Sequence, residues 1–164
     1  MSKNPTGALA FCSHDHAICA KQALTYADHL AEEKNLRLTP VRRRTLEILL
    51  EAHQALGAYD VLERLAEDGF GSQPPVAYRA LEFLVDHGFA HRIRRLNAFT
   101  ACMHPDHAHK PVFFICKSCA AVAETTGTEV QNAVESAAKS FGFQVDRMNL
   151  EAVGLCPTCQ EQAE

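Results

Sequence analysis

The sequence predicts an α+β protein with two domains, the first mostly helical and the second a small mixed domain. Three observations support this prediction. Apolar residues recur at helical spacing through the first half of the chain, and two short strand-like segments follow. A stretch rich in proline and histidine at 103–111 then breaks all periodicity. Beyond it, two Cys-x-x-Cys pairs each come directly after a segment typical of a strand.

The composition is that of an ordinary soluble chain. Hydrophobic residues make up 47% of the 164 residues, and charged residues make up 22%. No apolar run approaches the ~20 residues that a membrane span requires, and the first residues lack the pattern of a secretion signal. We therefore expect a cytoplasmic protein with no membrane partner. Seven cysteines in a reducing compartment favour metal ligation over disulfides.

The net charge of −4 does not by itself suggest nucleic acid as a partner. The arginines are nevertheless clustered, at 42–44 and again at 92–95. Such clusters can form a basic face on a chain that is acidic overall. On charge alone, a solvated surface is the simpler interpretation.

The first two helices follow an N-terminal tail, which we expect at residues 1–15. Helical spacing predicts a first helix over about 16–35. A second helix should begin at Thr39-Pro40, because threonine can cap unpaired backbone amides and proline suits the first helical turn. This helix should end near Glu51.

Two further helices and a hairpin complete the first domain. A helix is predicted from about Tyr59 to Ala66, and another opens at Ser72-Gln73-Pro74-Pro75 and ends at Gly88. Two strands should follow, at 90–94 and at 98–102, joined by a turn at Leu96-Asn97. Several helices followed by a hairpin is the pattern of a winged helix-turn-helix. We therefore expect a winged-helix DNA-binding domain at residues 16–102.

Residues 103–111 are expected to form a hinge, because two prolines and three histidines in nine residues suit neither a helix nor a strand. The second domain should occupy 112–164. Its predicted elements are a strand at 112–115, a hairpin partner at 121–124, a helix at 128–141 and a strand at 143–152.

Cys116, Cys119, Cys156 and Cys159 form two Cys-x-x-Cys pairs within this small domain. Two residues between thiolates allow both to reach one tetrahedral ion at ~2.3 Å, which predicts a structural zinc site. A domain of this size buries too little apolar surface to be stable by itself, and a zinc ion supplies the missing stability. The alternative is a redox-active dithiol, which two pairs in tandem disfavour. A zinc deaminase would need a His-x-Glu segment, which this chain lacks.

Several segments resemble the ferric uptake regulator family and, within it, the zinc uptake regulator branch. They occur in the family's order over about residues 20–160. The matching segments are Leu38-Thr39-Pro40-Val41-Arg42, Ala58-Tyr59-Asp60, Pro74-Pro75-Val76-Ala77-Tyr78-Arg79-Ala80-Leu81-Glu82-Phe83-Leu84, Gly88-Phe89-Ala90-His91 and both Cys-x-x-Cys pairs.

The resemblance implies a homodimer that binds double-stranded operator DNA when loaded with metal, with residues 112–164 as the dimerisation domain. It also implies a zinc-responsive repressor that controls zinc uptake genes. Two departures from the family pattern stand out. Val76-Ala77 replaces the usual Thr-Val, which could remove a phosphate contact or a cap, and Ala120 stands where the family often has glycine after the cysteine pair.

The resemblance further implies a regulatory zinc site near the hinge, formed by His91, Cys102, His109 and Glu124. One thiolate, two imidazoles and one carboxylate suit tetrahedral zinc, and the thiolate favours zinc over iron or manganese. His104 and His107 are the substitutes if the match is displaced by a few residues. The alternatives are a surface histidine at 91, a small buried apolar residue at 102 and a solvated carboxylate at 124.

The position of this site predicts a mechanism. His91 and Cys102 belong to the winged-helix side, while His109 and Glu124 belong to the hinge and the dimerisation domain. One zinc ion should therefore hold the DNA-binding domains at a separation that suits successive major grooves, ~34 Å apart. Binding needs a deprotonated Cys102 and neutral histidines, so it should weaken in mild acid.

By the same resemblance, Tyr78 and Arg79 face the DNA bases, where arginine pairs with guanine and a tyrosine ring packs on a thymine methyl. The alternative for Tyr78 is a place in the core. The predicted phosphate contacts are Arg42, Arg43, Arg44, Arg92 and Arg94.

The N-terminal segment contains a further group of metal-ligand residues, namely Cys12, His14, His16 and Cys19. They could bind a third zinc ion in addition to the two expected per chain. The simpler interpretation is a tail with incidental ligands.

Two other functions remain open at this point. The first is an iron, manganese or peroxide sensor of the same family, which Cys102 argues against. The second is a zinc-stabilised protein-interaction module, which the Tyr-Arg-Ala-Leu segment disfavours. An enzyme is not expected, because no nucleophile–base pair or phosphate loop is evident.

Overall fold

A computed structural model describes residues 16–51, 54–103, 110–146 and 148–162. The chain divides into two compact units, which contain the described residues 16–103 and 110–162 respectively. Helices and sheets occur in both, which confirms the predicted α+β class. None of the described helices is long and apolar enough to cross a membrane.

The described residues of the first unit form four helices and a three-stranded antiparallel sheet with strand order β1-β3-β2. In chain order its elements are α1 (His16–Glu33), α2 (Pro40–Leu50), β1 (Leu56–Gly57), α3 (Ala58–Glu67), α4 (Pro74–Asp86), β2 (Ala90–Ile93) and β3 (Ala98–Ala101).

The helix boundaries follow local chemistry. Thr39 is extended and Pro40 occupies the first turn of α2, as predicted. The Thr39 side chain, however, makes no capping hydrogen bond, so the expected capping role of its hydroxyl is wrong. Helix α4 opens in the same way with Pro74 at its start. It ends before Gly88, which has the left-handed φ of +79° that glycine adopts without strain.

The hairpin is shorter than predicted, since β2 ends at Ile93 and β3 at Ala101. Residues 94–97 form the turn, and Asn97 has a φ of +47°, which asparagine tolerates. Strand β1 was not predicted. It has only two residues, Leu56 and Gly57, and two residues show no period-2 pattern.

The core of the first unit lies between α2, α3, α4 and the sheet. Its large fully buried side chains come from the three helices and from Phe89, just before β2, and they are Ile48, Leu49, Val61, Leu65, Leu81, Leu84 and Phe89. Because α4 buries Ala77, Ala80, Leu81 and Leu84, its other face is directed to solvent. That face carries the side chains predicted to read DNA.

The second unit has a three-stranded sheet of order β5-β4-β6. Its elements are β4 (Pro111–Cys116), β5 (Val122–Thr126), α5 (Thr128–Ser140), β6 (Leu150–Gly154) and α6 (Pro157–Glu161). Strand β4 pairs antiparallel with β5 and parallel with β6. The close approach of Gly127 to Val112 explains a glycine before α5, because a Cβ at 127 would overlap a Val112 methyl carbon.

The strand predicted at 143–152 is wrong in extent, since the observed strand covers Leu150–Gly154. Strand β4 provides partners only from Val112, opposite Leu150, to Cys116, opposite Gly154. The residues before Leu150 therefore have no ladder to join, whatever their propensity. Phe143 is exposed instead.

Candidate metal centre and nucleic-acid interface

The parallel pairing of β4 with β6 brings the two cysteine pairs together. Cys116 is the last residue of β4 and lies opposite Gly154, two residues before Cys156. The Lys117 N–H donates to the Gly154 carbonyl at 2.9 Å, which extends the ladder into the cysteine turn. As a result, the four sulfurs of Cys116, Cys119, Cys156 and Cys159 lie within 4.8 Å of one another.

The distances within this cluster fit a tetrahedral ion. Cys119 Sγ and Cys156 Sγ are 3.8 Å apart. Four sulfurs each ~2.3 Å from a zinc ion at the centre of a tetrahedron would be separated by about the same distance. The Cys156 N–H also donates to Cys116 Sγ at 3.4 Å. A backbone amide aimed at sulfur favours the thiolate form that a metal requires.

The local environment affects two thiols of the cluster in opposite directions. Backbone N–H groups of Cys119 and Cys156 lower the pKa of Cys116 to about 6. The pKa of Cys159 is lowered by a hydrogen bond with the Ser118 side chain, but contact with Cys156 and burial outweigh this and raise it to about 12. Cys116 thus ionises readily, while Cys159 resists ionisation. A cation among the sulfurs would favour the thiolate form of all four.

Ala120 adopts a left-handed conformation with a φ of +59°. Its N–H donates to the Cys116 carbonyl at 3.0 Å, and the Cys116 N–H donates to the Ala121 carbonyl at 2.9 Å, closing the cysteine turn. The turn therefore needs a residue in the region that glycine favours. Alanine at position 120 therefore strains the backbone, whereas glycine, which the family often has there, would not.

The hairpin of the first unit holds an imidazole and a thiol side by side. His91 lies in β2 opposite Thr100, and Cys102 follows β3, its N–H donating to the Phe89 carbonyl at 2.9 Å. A ring nitrogen of His91 and the Sγ of Cys102 are within 4.8 Å of each other. Cys102 is buried and His91 is half-buried, so His91 is not simply a surface histidine.

Glu124 lies in β5 of the second unit, opposite Phe113, and is only 6% exposed. The alternative of a solvated carboxylate is therefore wrong. A buried carboxylate is expected to be hydrogen-bonded or bound to a cation.

The remaining predicted ligands lie outside the part of the chain that the structure describes. They are His104, His107, His109, Cys12 and His14, together with the side chains of His16 and Cys19 in α1.

Tyr78 and Arg79 lie on the outer face of α4, and both are exposed. Tyr78 is 40% exposed, so the alternative that places it in the core is wrong. Beside it lies Tyr59, the second residue of α3, which is 67% exposed. The two rings meet edge to face, with centroids 6.5 Å apart and planes at 89°. Sequence analysis missed Tyr59 as a site residue, because only packing shows that it adjoins Tyr78.

Arg42 makes contacts within the domain. Its guanidinium lies 3.7 Å from the centre of the Phe83 ring, and it donates to the Arg37 carbonyl at 2.7 Å. Since Arg42 lies in the first turn of α2 and Phe83 belongs to α4, this cation–π contact ties the two helices together.

Arg43 and Arg44 pair with carboxylates. Arg43 binds Asp28 of α1, and Arg44 binds Asp68 at 2.6 Å and Glu51 at 3.0 Å. The hydrogen bond with Asp68 raises the pKa of Arg44. Phosphate contacts by these two arginines stay predictions. The ion pairs make such contacts less favourable, because each guanidinium would have to leave a carboxylate before it could bind a phosphate.

The arginines of the hairpin are exposed at the wing. Arg92 donates to Asn97 Oδ1 at 2.7 Å across the turn, and its guanidinium lies 5.8 Å from the centre of the Phe99 ring. Arg94 lies in the exposed turn itself.

The fold and the cysteine cluster together define a winged-helix protein with a second, sulfur-rich domain whose four cysteines could hold a metal ion. A sequence model described as the ferric uptake regulator family matches residues 33–153, and the chain belongs to this family.

Relatives agree with this assignment. The chain is 34% identical over 142 residues to the zinc uptake regulation protein of Escherichia coli K12, covering 86% of this chain and 83% of that protein. A solved structure of a zinc uptake regulator complexed with zinc and DNA aligns with a TM-score of 0.83 at 34% identity, covering 88% of this chain and 97% of that one. Holo XcZur aligns with a TM-score of 0.77 at 34% identity, covering 90% and 99%.

Proposed function

We propose that this protein is a zinc-responsive, DNA-binding transcriptional repressor that controls zinc uptake genes and acts in the cytoplasm. The observation that carries the proposal is the His91–Cys102 pair, a nitrogen–sulfur donor set that prefers zinc to iron or manganese. It occurs in a chain 34% identical to a zinc uptake regulation protein. The role is regulatory and not enzymatic.

The four-cysteine cluster is proposed as a structural zinc site. Its support is the sulfur geometry, the amide directed at Cys116 and the resistance of the neighbouring Cys159 thiol to ionisation. A bound zinc ion supplies the charge that lets all four cysteines ionise. We propose that this site stabilises the dimerisation domain at 112–164 and senses nothing.

The regulatory site is proposed at His91, Cys102, His109 and Glu124, across the hinge at 103–111. The closeness of His91 to Cys102 and the burial of Glu124 support this set. Zinc held by these side chains would fix the winged-helix domain, 16–102, relative to the dimer. Two ions per chain are therefore proposed, while the N-terminal cysteine–histidine group remains a candidate for a third.

A homodimer is proposed from the surface of the second unit. Large apolar side chains of its sheet and helix are exposed in the single chain, and they include Phe114, Val130, Val134 and Val153. Val130 and Val134 lie on the same side of α5, and the rest of the second unit does not cover that side. A second copy would bury this surface, as apolar faces of this kind require.

DNA contact is proposed through α4 and the hairpin. Tyr78 and Arg79 lie on the solvent-facing side of α4, where base edges could be reached, and Arg92 and Arg94 lie on the exposed wing. In a dimer, the two α4 helices would enter successive major grooves.

The decisive experiment compares metals as effectors. Operator fragments would first be selected from random DNA with zinc-loaded protein, and affinity would then be measured while zinc, iron and manganese are titrated separately. We expect zinc to support binding at the lowest free concentration and Cys102→Ser to lose that preference. His29→Gln, at an exposed position of α1, is the matched control and should bind as wild type does.

Equal support of DNA binding by iron would favour the iron or manganese sensor instead. Failure of every metal to support sequence-specific binding would leave the protein-interaction module as the better hypothesis.

A further inference from the structure

We propose that Tyr59 is a positioning residue that sets the orientation of Tyr78 on the DNA-reading surface. The inference rests on the proposed function, since it concerns how that function achieves base selectivity. It assigns a role to a side chain on α3, outside the helix that carries the proposed base contacts.

The two tyrosines form an aromatic pair on the surface of the first unit. Tyr59 is 67% exposed and Tyr78 is 40% exposed, so neither ring contributes much to the core. Their centroids lie 6.5 Å apart with ring planes at 89°, which is the favourable edge-to-face arrangement of two aromatic quadrupoles. A contact with this geometry restrains both rings although each is largely in water.

The backbone beneath Tyr59 is held on two sides. Gly57 pairs with Ala98 in the sheet, and its N–H donates to Asp60 Oδ2 at 2.9 Å, which caps the first turn of α3. Ala58 and Val61, on either side of Tyr59 and Asp60, are buried. The Tyr59 ring therefore projects from a fixed point.

Tyr78 needs such a restraint. Its neighbours Ala77 and Ala80 are buried and fix the backbone of α4, but its own side chain lies on the solvent side. A solvated tyrosine exchanges between staggered rotamers, and ordering it on binding costs affinity. Contact with Tyr59 selects one orientation before DNA arrives, and preorganisation of this kind strengthens binding.

The Tyr59 hydroxyl could also act differently, as a donor to a DNA phosphate. Tyr59→Phe separates the two roles, because it keeps the ring and removes the hydroxyl. The positioning role predicts that Tyr59→Phe binds as wild type does, while Tyr59→Ala is impaired. Equal impairment of both variants would overturn it.

A double-mutant cycle tests the coupling. We would measure zinc-loaded binding of Tyr59→Ala, Tyr78→Ala and the double variant to the operator and to single-base variants of it. Tyr59→Ala should weaken operator binding about two- to tenfold, the range expected for one aromatic pair, and should lower base discrimination. In the Tyr78→Ala background it should have no further effect. Additive effects, or an unchanged affinity of Tyr78→Ala, would overturn the proposal.

A second readout needs no DNA. The chain has three tyrosines, at positions 26, 59 and 78, so selective labelling of tyrosine gives few ring signals in NMR spectra. Tyr59→Ala should shift the Tyr78 ring signals, whereas Ile18→Ala, which also removes an exposed apolar side chain of this unit, should not. Unshifted Tyr78 signals would overturn the inference even if the DNA-binding function holds. If the wild type shows no sequence-specific DNA binding while Tyr59→Ala still shifts the Tyr78 ring signals, the result would instead count against the proposed function.

Discussion

Cys156 donates its backbone N–H to the Sγ of Cys116 at 3.4 Å, joining residues forty positions apart in the chain. This bond exists because β6 runs parallel to β4 and ends beside it. It links the sheet of the second unit to the cluster of thiols, so that the fold and the metal site depend on each other.

Loss of one cysteine should therefore destabilise the small domain. We expect Cys156→Ser to lose one zinc ion per chain and to unfold residues 110–162 at a lower temperature, because zinc binding at such sites is coupled to folding. Metal analysis and calorimetry test this. Cys102→Ser is the matched control, and it should keep the cluster's zinc and the unfolding temperature of this domain. Retention of the zinc and of the unfolding temperature by Cys156→Ser would contradict the structural role.

The lowered pKa of Cys116 predicts how the stability of the metal-free protein depends on pH. A group whose pKa falls on folding, here from 9.0 to about 6, stabilises the fold fully above pH 9 and loses that contribution as the pH falls to about 6. The raised pKa of Cys159, about 12, acts in the opposite sense above pH 9. Stability after chelation should thus rise between pH 6 and 9 and fall beyond it.

Denaturant unfolding of the chelated protein at several pH values measures this profile. Cys102→Ser should reproduce it, since Cys102 lies outside the cluster. A flat profile between pH 6 and 9 would mean that the amides do not stabilise the Cys116 thiolate.

Ala120→Gly should stabilise the protein. Alanine at a φ of +59° is strained by about 1–2 kcal/mol, and glycine removes the strain while adding backbone entropy to the unfolded chain. A net gain of about 0.5–1 kcal/mol is expected in thermal unfolding of the zinc-loaded protein. Ala121→Gly, next to it but without a positive φ, should lose stability, and a loss at both positions would contradict the strain argument.

Arg79→Ala should reduce operator affinity sharply and leave folding intact. A bidentate arginine–base contact contributes about 1–3 kcal/mol of discrimination, so selectivity should fall at one base position. Binding assays on operator variants measure this, with unfolding curves as the check on folding. Unchanged sequence-specific binding would remove Arg79 from the base-reading surface.

Arg42→Ala should act on stability more than on DNA binding. It removes a cation–π contact with Phe83 and a hydrogen bond to the Arg37 carbonyl, together about 1–2 kcal/mol. If Arg42 serves only these internal contacts, the salt dependence of DNA affinity should stay as in the wild type. A reduced salt slope with unchanged stability would support the predicted phosphate contact of Arg42.

The elements that sequence analysis predicted well are those with strong local signals. Pro40 and Pro74 mark helix starts because proline tolerates the first turn, and Gly88 marks an end because it adopts a positive φ. The elements that it missed, β1 and α6, contain two and five residues, which is too few to show a period.

Residue types and spacing by themselves were enough to predict a metal site at the two cysteine pairs and a helical first domain that carries the Tyr78–Arg79 segment. Metal-ligand spacing and helix periodicity are local properties of the sequence. Tertiary structure alone decided which side chains meet. The length of β4 limited β6 to five paired residues, and carboxylates on other elements occupied Arg43 and Arg44. Tyr59 came beside Tyr78 because α3 and α4 pack on one core, and contacts between distant segments depend on packing that no local pattern encodes.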